Sequence, residues 1–276
     1  MDIKLIAIDM DGTLVDDEKQ IPEENLKALK ECSDRGIEIV PATGRTMKGI
    51  PEKLKELAGV RYGITVNGAV VADLKREKVI STCRLSAELA VEVMTMAKES
   101  GDDIMYDAYV DGIGYTSEEF YDQFPRFIHS EALARLLMGA RRAVPDHIQW
   151  IWEHADEVDK INMFFISQEA RERMRRLLQQ NPGLWVSSSL PCNLEINAAG
   201  ADKGGALVRL ADYLGISRDA TMAFGDGEND LTMIQKAGMG VAMENGIPSV
   251  KEAADYITVS NEEAGVAAAI RRFVLK

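Results

Sequence analysis

Cysteine is scarce in this sequence, and its placement excludes more than it suggests. Cys32, Cys83 and Cys192 stand apart, odd in number and without a Cys-x-x-Cys pair. That argues against a disulfide framework or a thiolate zinc site. Long apolar runs are missing too, and none approaches the roughly 20 residues a membrane-spanning helix needs. The start, Met1-Asp2-Ile3-Lys4, has neither the basic stretch nor the apolar stretch of a signal peptide. A reducing, cytoplasmic setting is the expectation. Positive charge is in deficit: 32 Lys and Arg stand against 45 Asp and Glu, for a formal net charge of −13. Neither nucleic acid nor an anionic membrane surface is an expected partner, because both reward an excess of Lys and Arg. The same charge repels a phosphorylated small molecule at long range. Any phosphate site must therefore be locally positive, through a metal, a lysine or backbone amides. There is no internal repeat, low-complexity tract or Gly/Ser-rich linker, and no signal of oligomeric state.

What is present is a chain of 276 residues, 46% hydrophobic and 28% charged, long enough for one large or two smaller domains. Both ends alternate strand and helix patterns. After an apolar run at Leu5-Ile6-Ala7-Ile8, residues Pro22 to Asp34 read as a helix with Gly36 just past its end. Ile37 to Val40 reads as a strand and Met47 to Leu57 as a helix. Asn67-Gly68 between Ile64-Thr65-Val66 and Ala69-Val70-Val71 is a hairpin signal. Late in the chain, Gly205 to Leu214 reads as a helix and Thr221 to Phe224 as a buried strand, followed by a helix to about Ala237. Gly240 to Met243 and Tyr256 to Val259 are short strands, and Glu262 to Val274 a closing helix. This βαβ pattern predicts a parallel sheet. The middle, from about Leu85 to Leu190, holds all three histidines and all three tryptophans and mixes helices with strands such as Lys160 to Ile166. It reads as an inserted domain, giving a discontinuous core of 1–84 and 191–276 around an insert of 85–190.

Asp9-Met10-Asp11-Gly12-Thr13 is the most informative stretch. Two carboxylates two residues apart project to one side of an extended backbone. At the mouth of a buried strand they are placed to hold a divalent cation, and carboxylate oxygens suit Mg²⁺. Gly12 lets the chain turn, and the Thr13 hydroxyl can tie that turn. The pair can also divide two tasks, Asp9 as nucleophile and Asp11 as proton donor and acceptor.

Three further segments fall where ligands bind in open α/β sheets, beyond the carboxyl ends of strands or at a helix start. Thr43 and Gly44 follow the second strand, Asp226, Asn229 and Asp230 follow a late strand, and Lys203 opens a helix. Read from the residues, Asp9, Asp11 and Asp226 build a Mg²⁺ site. The Thr43 hydroxyl, the Gly44 amide, Lys203 and Asn229 hold phosphoryl oxygens, with Met10 counted in the same set. Phosphoryl transfer asks a protein mainly for this positioning and charge neutralisation.

These residues resemble the haloacid dehalogenase superfamily, with Asp9 to Thr13, Thr43, Lys203 and Gly225 to Asp230 as its four motifs. Ala42 to Arg45, Asn67 to Ala69, Leu194 to Ile196, Ala242 to Gly246, Ala253 to Tyr256 and Glu263 to Val266 resemble its Cof-type branch. The resemblance implies an α/β fold, a Rossmann-like parallel-sheet core with an inserted α+β cap of the C2B type. It implies an aspartyl-phosphate intermediate on Asp9 and acid–base work by Asp11. Mg²⁺ would be held by the side chains of Asp9 and Asp226 and the backbone carbonyl of Asp11, with Asp230 supporting from behind. Ala264 departs from the branch, which usually carries an acid there. The expected activity is hydrolysis of a small phosphomonoester, a sugar phosphate or phosphorylated cofactor. A phosphotransferase or phosphomutase using the same intermediate is the alternative. A receiver-type signalling domain is disfavoured by length and by Asp11 so close to Asp9. In the insert, Asp107, Tyr109, Asp111 and His129 are polar or aromatic candidates, each more simply read as solvated surface.

Overall fold

A computed structural model describes residues 2–57, 59–128 and 130–275. It divides into two compact units, Met1–Thr82 with Gly200–Lys276, and Cys83–Ala199.

The first unit is built on a five-stranded parallel sheet. In spatial order the strands are Tyr256–Ile257, Met239–Ala242, Thr221–Gly225, Leu5–Ile8 and Glu38–Pro41. Leu5 to Ile8 is apolar without interruption because both faces of the sheet are covered. Ile6, Ile8, Ile39, Phe224 and Val241 pack with the helices Glu23–Asp34 and Gly265–Phe273. Leu5, Ala7, Val40 and Ala223 pack on the other side with Leu207 and Leu210 of helix Lys203–Leu214 and Met233 and Ile234 of helix Leu231–Lys236. An antiparallel sheet of Tyr62–Thr65, Val70–Asp73 and Lys78–Thr82 adjoins the edge through a bridge between Ala42 and Ile64.

Three helix expectations change. Met47 to Leu57 is a 3-10 turn, Met47–Gly49, then a single helical turn, Glu52–Lys55. Pro51 lacks the amide a continuous helix needs there. The helix expected from Gly205 starts at Lys203, because Asp202 accepts from the Gly205 amide at 2.8 Å and caps it. The closing helix is interrupted at Ala264, whose φ of 55° is left-handed; the regular helix runs Gly265–Phe273.

The second unit is α+β. Its six-stranded sheet runs Leu184–Ser187, Asn193–Ala198, Lys160–Phe165, Ile104–Val110, Ile113–Ser117 and Arg141–Val144, antiparallel except for the last pair. Helices Ala87–Glu99 and Gln168–Leu178 cover one face, over Ile104, Tyr106, Ile161, Met163, Leu194 and Ile196. Side chains of the opposite parity carry buried polar groups. Arg141 Nε donates to Asp107 Oδ2 at 2.8 Å, Asn162 donates to Asp107 Oδ1 at 2.7 Å, and the Arg141 guanidinium lies 4.9 Å from the centre of the Phe124 ring. Asp107 and Tyr109 are therefore enclosed, not solvated. A carboxylate buried this deeply is tolerable only because it is paired and hydrogen-bonded. Asp111 sits on an exposed turn with φ 49° and pairs with Arg84 at 3.1 Å. His129 lies outside the described residues. Among the described residues no helix is long and apolar enough to cross a membrane.

Candidate active site

The strands Leu5–Ile8, Glu38–Pro41, Thr221–Gly225 and Met239–Ala242 are parallel, so the segments leaving them gather along one edge. Chain order reverses direction between Leu5–Ile8 and Thr221–Gly225. A crevice at such a switch point is where open α/β sheets bind ligands. Asp9 leaves one of these two strands and Asp226 the other.

Asp9, Asp226 and Asp230 each bring a carboxylate oxygen within 4.8 Å of the others. The fully buried Lys203 places its Nζ 2.5 Å from both Asp9 Oδ1 and Asp230 Oδ1. Asp230 Oδ2 accepts from the amides of Asp226 and Gly227 at 3.0 and 2.9 Å. Both Asp230 oxygens are thus committed to holding the lysine and the Asp226 loop. Asp226 Oδ1 accepts from the Thr13 hydroxyl at 2.7 Å. Asp9 and Asp226 each keep Oδ2 outside any hydrogen bond with the described residues.

Glycines make this closeness possible. A Cβ on Gly12, whose φ is +87°, would lie 2.5 Å from Asp226 Oδ2. One on Gly204 would lie 2.3 Å from the Thr232 carbonyl, so helix Lys203–Leu214 could not lie as near the Asp230 segment. Lys203 is delivered to the site by that approach.

Two buried carboxylates, Asp9 and Asp230, and the half-buried Asp226 face one ammonium. Burial, then the charge of Asp230, pushes Asp9 well above the usual carboxylate range against the pull of Lys203. Burial and Asp230 likewise push Asp226 up to about 6. Burial works against the Lys203 ammonium, but Asp230 and Asp9 outweigh it and raise its pKa. The excess negative charge and the all-oxygen donor set, with no His or Cys, fit a hard divalent cation.

Asp11 points its carboxylate elsewhere. Arg45 Nε donates to Oδ2 at 2.9 Å and Arg45 Nη2 to Oδ1 at 2.6 Å, and Lys19 Nζ stands 3.1 Å from Oδ1. Burial raises its pKa, yet the hydrogen bonds and charge of Arg45 and Lys19 win and hold it below the ordinary value. The side chain of Asp11 is thus not a member of the acid cluster.

The remaining expected residues surround the same edge. Thr43 is buried, and its hydroxyl accepts from the Arg45 amide at 3.1 Å. Its carbonyl accepts from the Asn67 amide at 3.1 Å. Asn229 donates to Asn67 Oδ1 at 3.2 Å. Gly44 follows Thr43 in the turn, part-exposed. The Met10 side chain is fully buried, while its carbonyl accepts from the Leu14 and Val15 amides at 3.1 and 3.0 Å, closing the turn that carries Asp11.

Sequence reasoning did not assign Arg45, Lys19 or Asn67 to the site, and gave Thr13 a local role. Arg45 and Asn67 lie inside the Ala42–Arg45 and Asn67–Ala69 stretches that resemble the Cof-type branch, and that is a signal. Lys19 carried none. Thr13 closes no turn with its hydroxyl; it reaches across to Asp226.

Comparisons with known proteins give the family. A family model described as haloacid dehalogenase-like hydrolase matches residues 6–270. The 5-amino-6-(5-phospho-D-ribitylamino)uracil phosphatase YcsE of Bacillus subtilis (strain 168) is 34% identical over 279 residues, covering 100% of this chain and 97% of that protein. The fold resembles a haloacid dehalogenase-like hydrolase from B. subtilis, with TM-score 0.85 and 29% identity over 99% of this chain and 100% of that one. It also resembles a subclass IIB sugar phosphatase of the same superfamily, with TM-score 0.82 and 25% identity over 99% and 100% of the two chains. With the four motif segments on one sheet edge and these relatives along its whole length, the chain belongs to the haloacid dehalogenase-like hydrolases and is a phosphoric monoester hydrolase.

Proposed function

We propose that the protein is a Mg²⁺-dependent phosphatase that hydrolyses a small phosphomonoester through an aspartyl phosphate on Asp9. The observation that carries this reading is the Asp9–Lys203 contact at 2.5 Å, with Asp226 beside it. The ammonium favours the ionised form of Asp9 against burial and the neighbouring acids, and it fixes the carboxylate in direction at the mouth of its strand.

In the first half-reaction a carboxylate oxygen of Asp9 bonds to phosphorus, the bond from phosphorus to the leaving oxygen breaks, and Asp11 gives that oxygen a proton. In the second half-reaction a water oxygen bonds to phosphorus while Asp11 takes its proton. The acyl-phosphate bond then breaks, returning the Asp9 carboxylate and inorganic phosphate. Mg²⁺ held by Asp9, Asp226 and the Asp11 carbonyl would supply charge neutralisation on the phosphoryl oxygens. Lys203, Asn229, Thr43, and the backbone at Met10 and Gly44 hold those oxygens. Asp230 keeps Lys203 and the Asp226 loop in place.

We assign the second unit, Cys83–Ala199 rather than the 85–190 expected from the sequence because strand Asn193–Ala198 belongs to its sheet, the role of an inserted cap of the C2B type that selects the leaving group, and the cytoplasm as the compartment. Relatives that act on a ribitylamino-uracil phosphate and on sugar phosphates support a small, hydroxyl-rich phosphomonoester. The test is a panel of phosphorylated metabolites scored by phosphate release, for wild type and Asp9→Asn. Intact mass after brief exposure to substrate accompanies it. Release by wild type and none by Asp9→Asn is expected. Turnover by Asp9→Asn above a small fraction of wild type would remove the covalent mechanism.

A further inference from the structure

The turn at 243–247 has no part in the chemistry above. It leaves strand Met239–Ala242, the neighbour of the Asp226 strand, at the same carboxyl edge. Main-chain bonds fasten it to the Asp226 loop: the Met243 amide donates to the Gly225 carbonyl at 3.1 Å, and the Ile247 amide to the Asp226 carbonyl at 2.9 Å. Gly246 stands so near that a Cβ there would lie 3.2 Å from Asp226 Cα. One side chain reaches the other way. Asn245 Nδ2 donates to the Gly12 carbonyl at 2.8 Å. Its Oδ1 accepts from the Asn261 amide at 3.1 Å, which fixes how the carboxamide faces. The turn therefore grips the Asp226 loop by its backbone and the Asp11–Gly12 segment by one carboxamide.

Gly12 is where such a grip matters. A glycine without a Cβ has no steric preference for its left-handed φ of +87°, so the peptides on either side need an outside constraint. The peptide before it carries the Asp11 carbonyl. Thr13, just after it, donates to Asp226. A small rotation at Gly12 would turn the carbonyl and shift the Thr13 hydroxyl together.

We infer that Asn245 is a positioning residue for the divalent-cation site, setting the direction of the Asp11 carbonyl and the spacing between the Gly12 turn and the Asp226 loop. The inference rests on the metal reading above. The carboxamide supplies the donor for Gly12 and the acceptor for Asn261 at once.

The test is calorimetric titration of Mg²⁺ into the metal-free protein, for wild type, Asn245→Ala and Asn261→Ala, with metal-free melting curves for all three. Asn245→Ala removes an exposed side chain, so its metal-free melting should stay close to wild type. Its Kd for Mg²⁺ should rise about tenfold or more, the usual scale for losing a group that orients ligands. Its kcat should return toward wild type at saturating Mg²⁺. Asn261→Ala loses its side-chain bond to Val15 but keeps the main-chain amide that Asn245 uses, so its Kd should change far less. An unchanged Kd in Asn245→Ala, or an equal rise in both variants, would overturn the positioning role and leave the metal site standing. Absence of Mg²⁺ binding by wild type would overturn the metal reading and this inference with it.

Discussion

Arg45 grips both carboxylate oxygens of Asp11, through Nε at 2.9 Å and Nη2 at 2.6 Å. A bidentate guanidinium pair favours the ionised acid, and Lys19 adds a second cation at 3.1 Å. This is the form that can take a proton from water. It is not the form that can give one to a leaving group. The two halves of the proposed reaction therefore ask for opposite states of one pair.

The first prediction follows from that conflict. Burial raises the Asp11 pKa, and Arg45 with Lys19 brings it below the ordinary value. Removing the guanidinium should let the carboxyl keep its proton to higher pH. For Arg45→Met the acidic limb of the kcat profile on a sugar phosphate should therefore move up in pH, and Lys19→Met should move it less in the same direction. A limb that stays in place in Arg45→Met would show that Asp11 does not set it.

Asp11→Asn should separate substrates by leaving group. Aryl phosphates leave without a proton, whereas alkyl and sugar phosphates need one. Sugar-phosphate turnover should fall by roughly 100- to 10,000-fold, the usual contribution of a general acid, and aryl-phosphate attack by much less. Water would also lack its base, so an aspartyl phosphate should accumulate with the aryl substrate and be visible by intact mass. Equal slowing of both classes with no adduct would make Asp11 purely structural.

Metal removal and pH should interact. Burial and the Asp230 charge raise Asp226 from 3.8 to about 6. Between those values the folded protein holds more protons than the unfolded chain, so metal-free stability falls as pH rises through that window. A bound cation must displace the same proton. The melting-temperature gain from saturating Mg²⁺ should thus be small near pH 5 and full above about pH 6. Turnover should vanish on chelation and return with Mg²⁺. Equal gains at pH 5 and 7.5 would contradict this.

Lys203→Met should damage the fold as well as the activity. The ammonium is fully buried and is bonded to both Asp9 and Asp230. Breaking a buried pair by removing one partner costs about 3–5 kcal/mol, readable as a shift in urea unfolding of the metal-free protein. A change below about 1 kcal/mol, the scale of a surface ion pair, would mean the acids are less enclosed than the structure has them.

Much of this was legible in one dimension because strand ends advertise themselves. Leu5 to Ile8 is wholly apolar and stops at Asp9; Met222 to Phe224 is apolar and stops before Asp226. Parallel strands then bring such stops to one edge. The side-chain partnerships were not legible. Nothing near Asp11 in the sequence says that a residue 34 positions on will take both its oxygens, or that Asn245 will meet Gly12 across 233 residues. Asp107 reads as surface because a charged side chain usually lies there; only the folded sheet brings Arg141 and Asn162 to it. Ala264 looked like a neutral departure from its family pattern. Its left-handed φ of 55° supplies a reason for the usual residue, since short polar side chains tolerate that conformation better than alanine.

The strand that leads into Asp9 lies between Glu38–Pro41 and Thr221–Gly225, and the lysine partner of Asp9 follows 194 residues later. At a synthesis rate of 5–20 residues per second, Asp9 leaves the ribosome roughly 10–40 s before Lys203 exists to meet it. Throughout that interval one side of the Leu5–Ile8 strand has no sheet neighbour, and the carboxylate stands in water with an ordinary acidity. A nascent or truncated chain therefore carries the motif without the chemistry. On the proposed mechanism, a reactive Asp9 requires the last part of the chain, which carries Lys203 and the Thr221–Gly225 strand, to be in place beside the first strand.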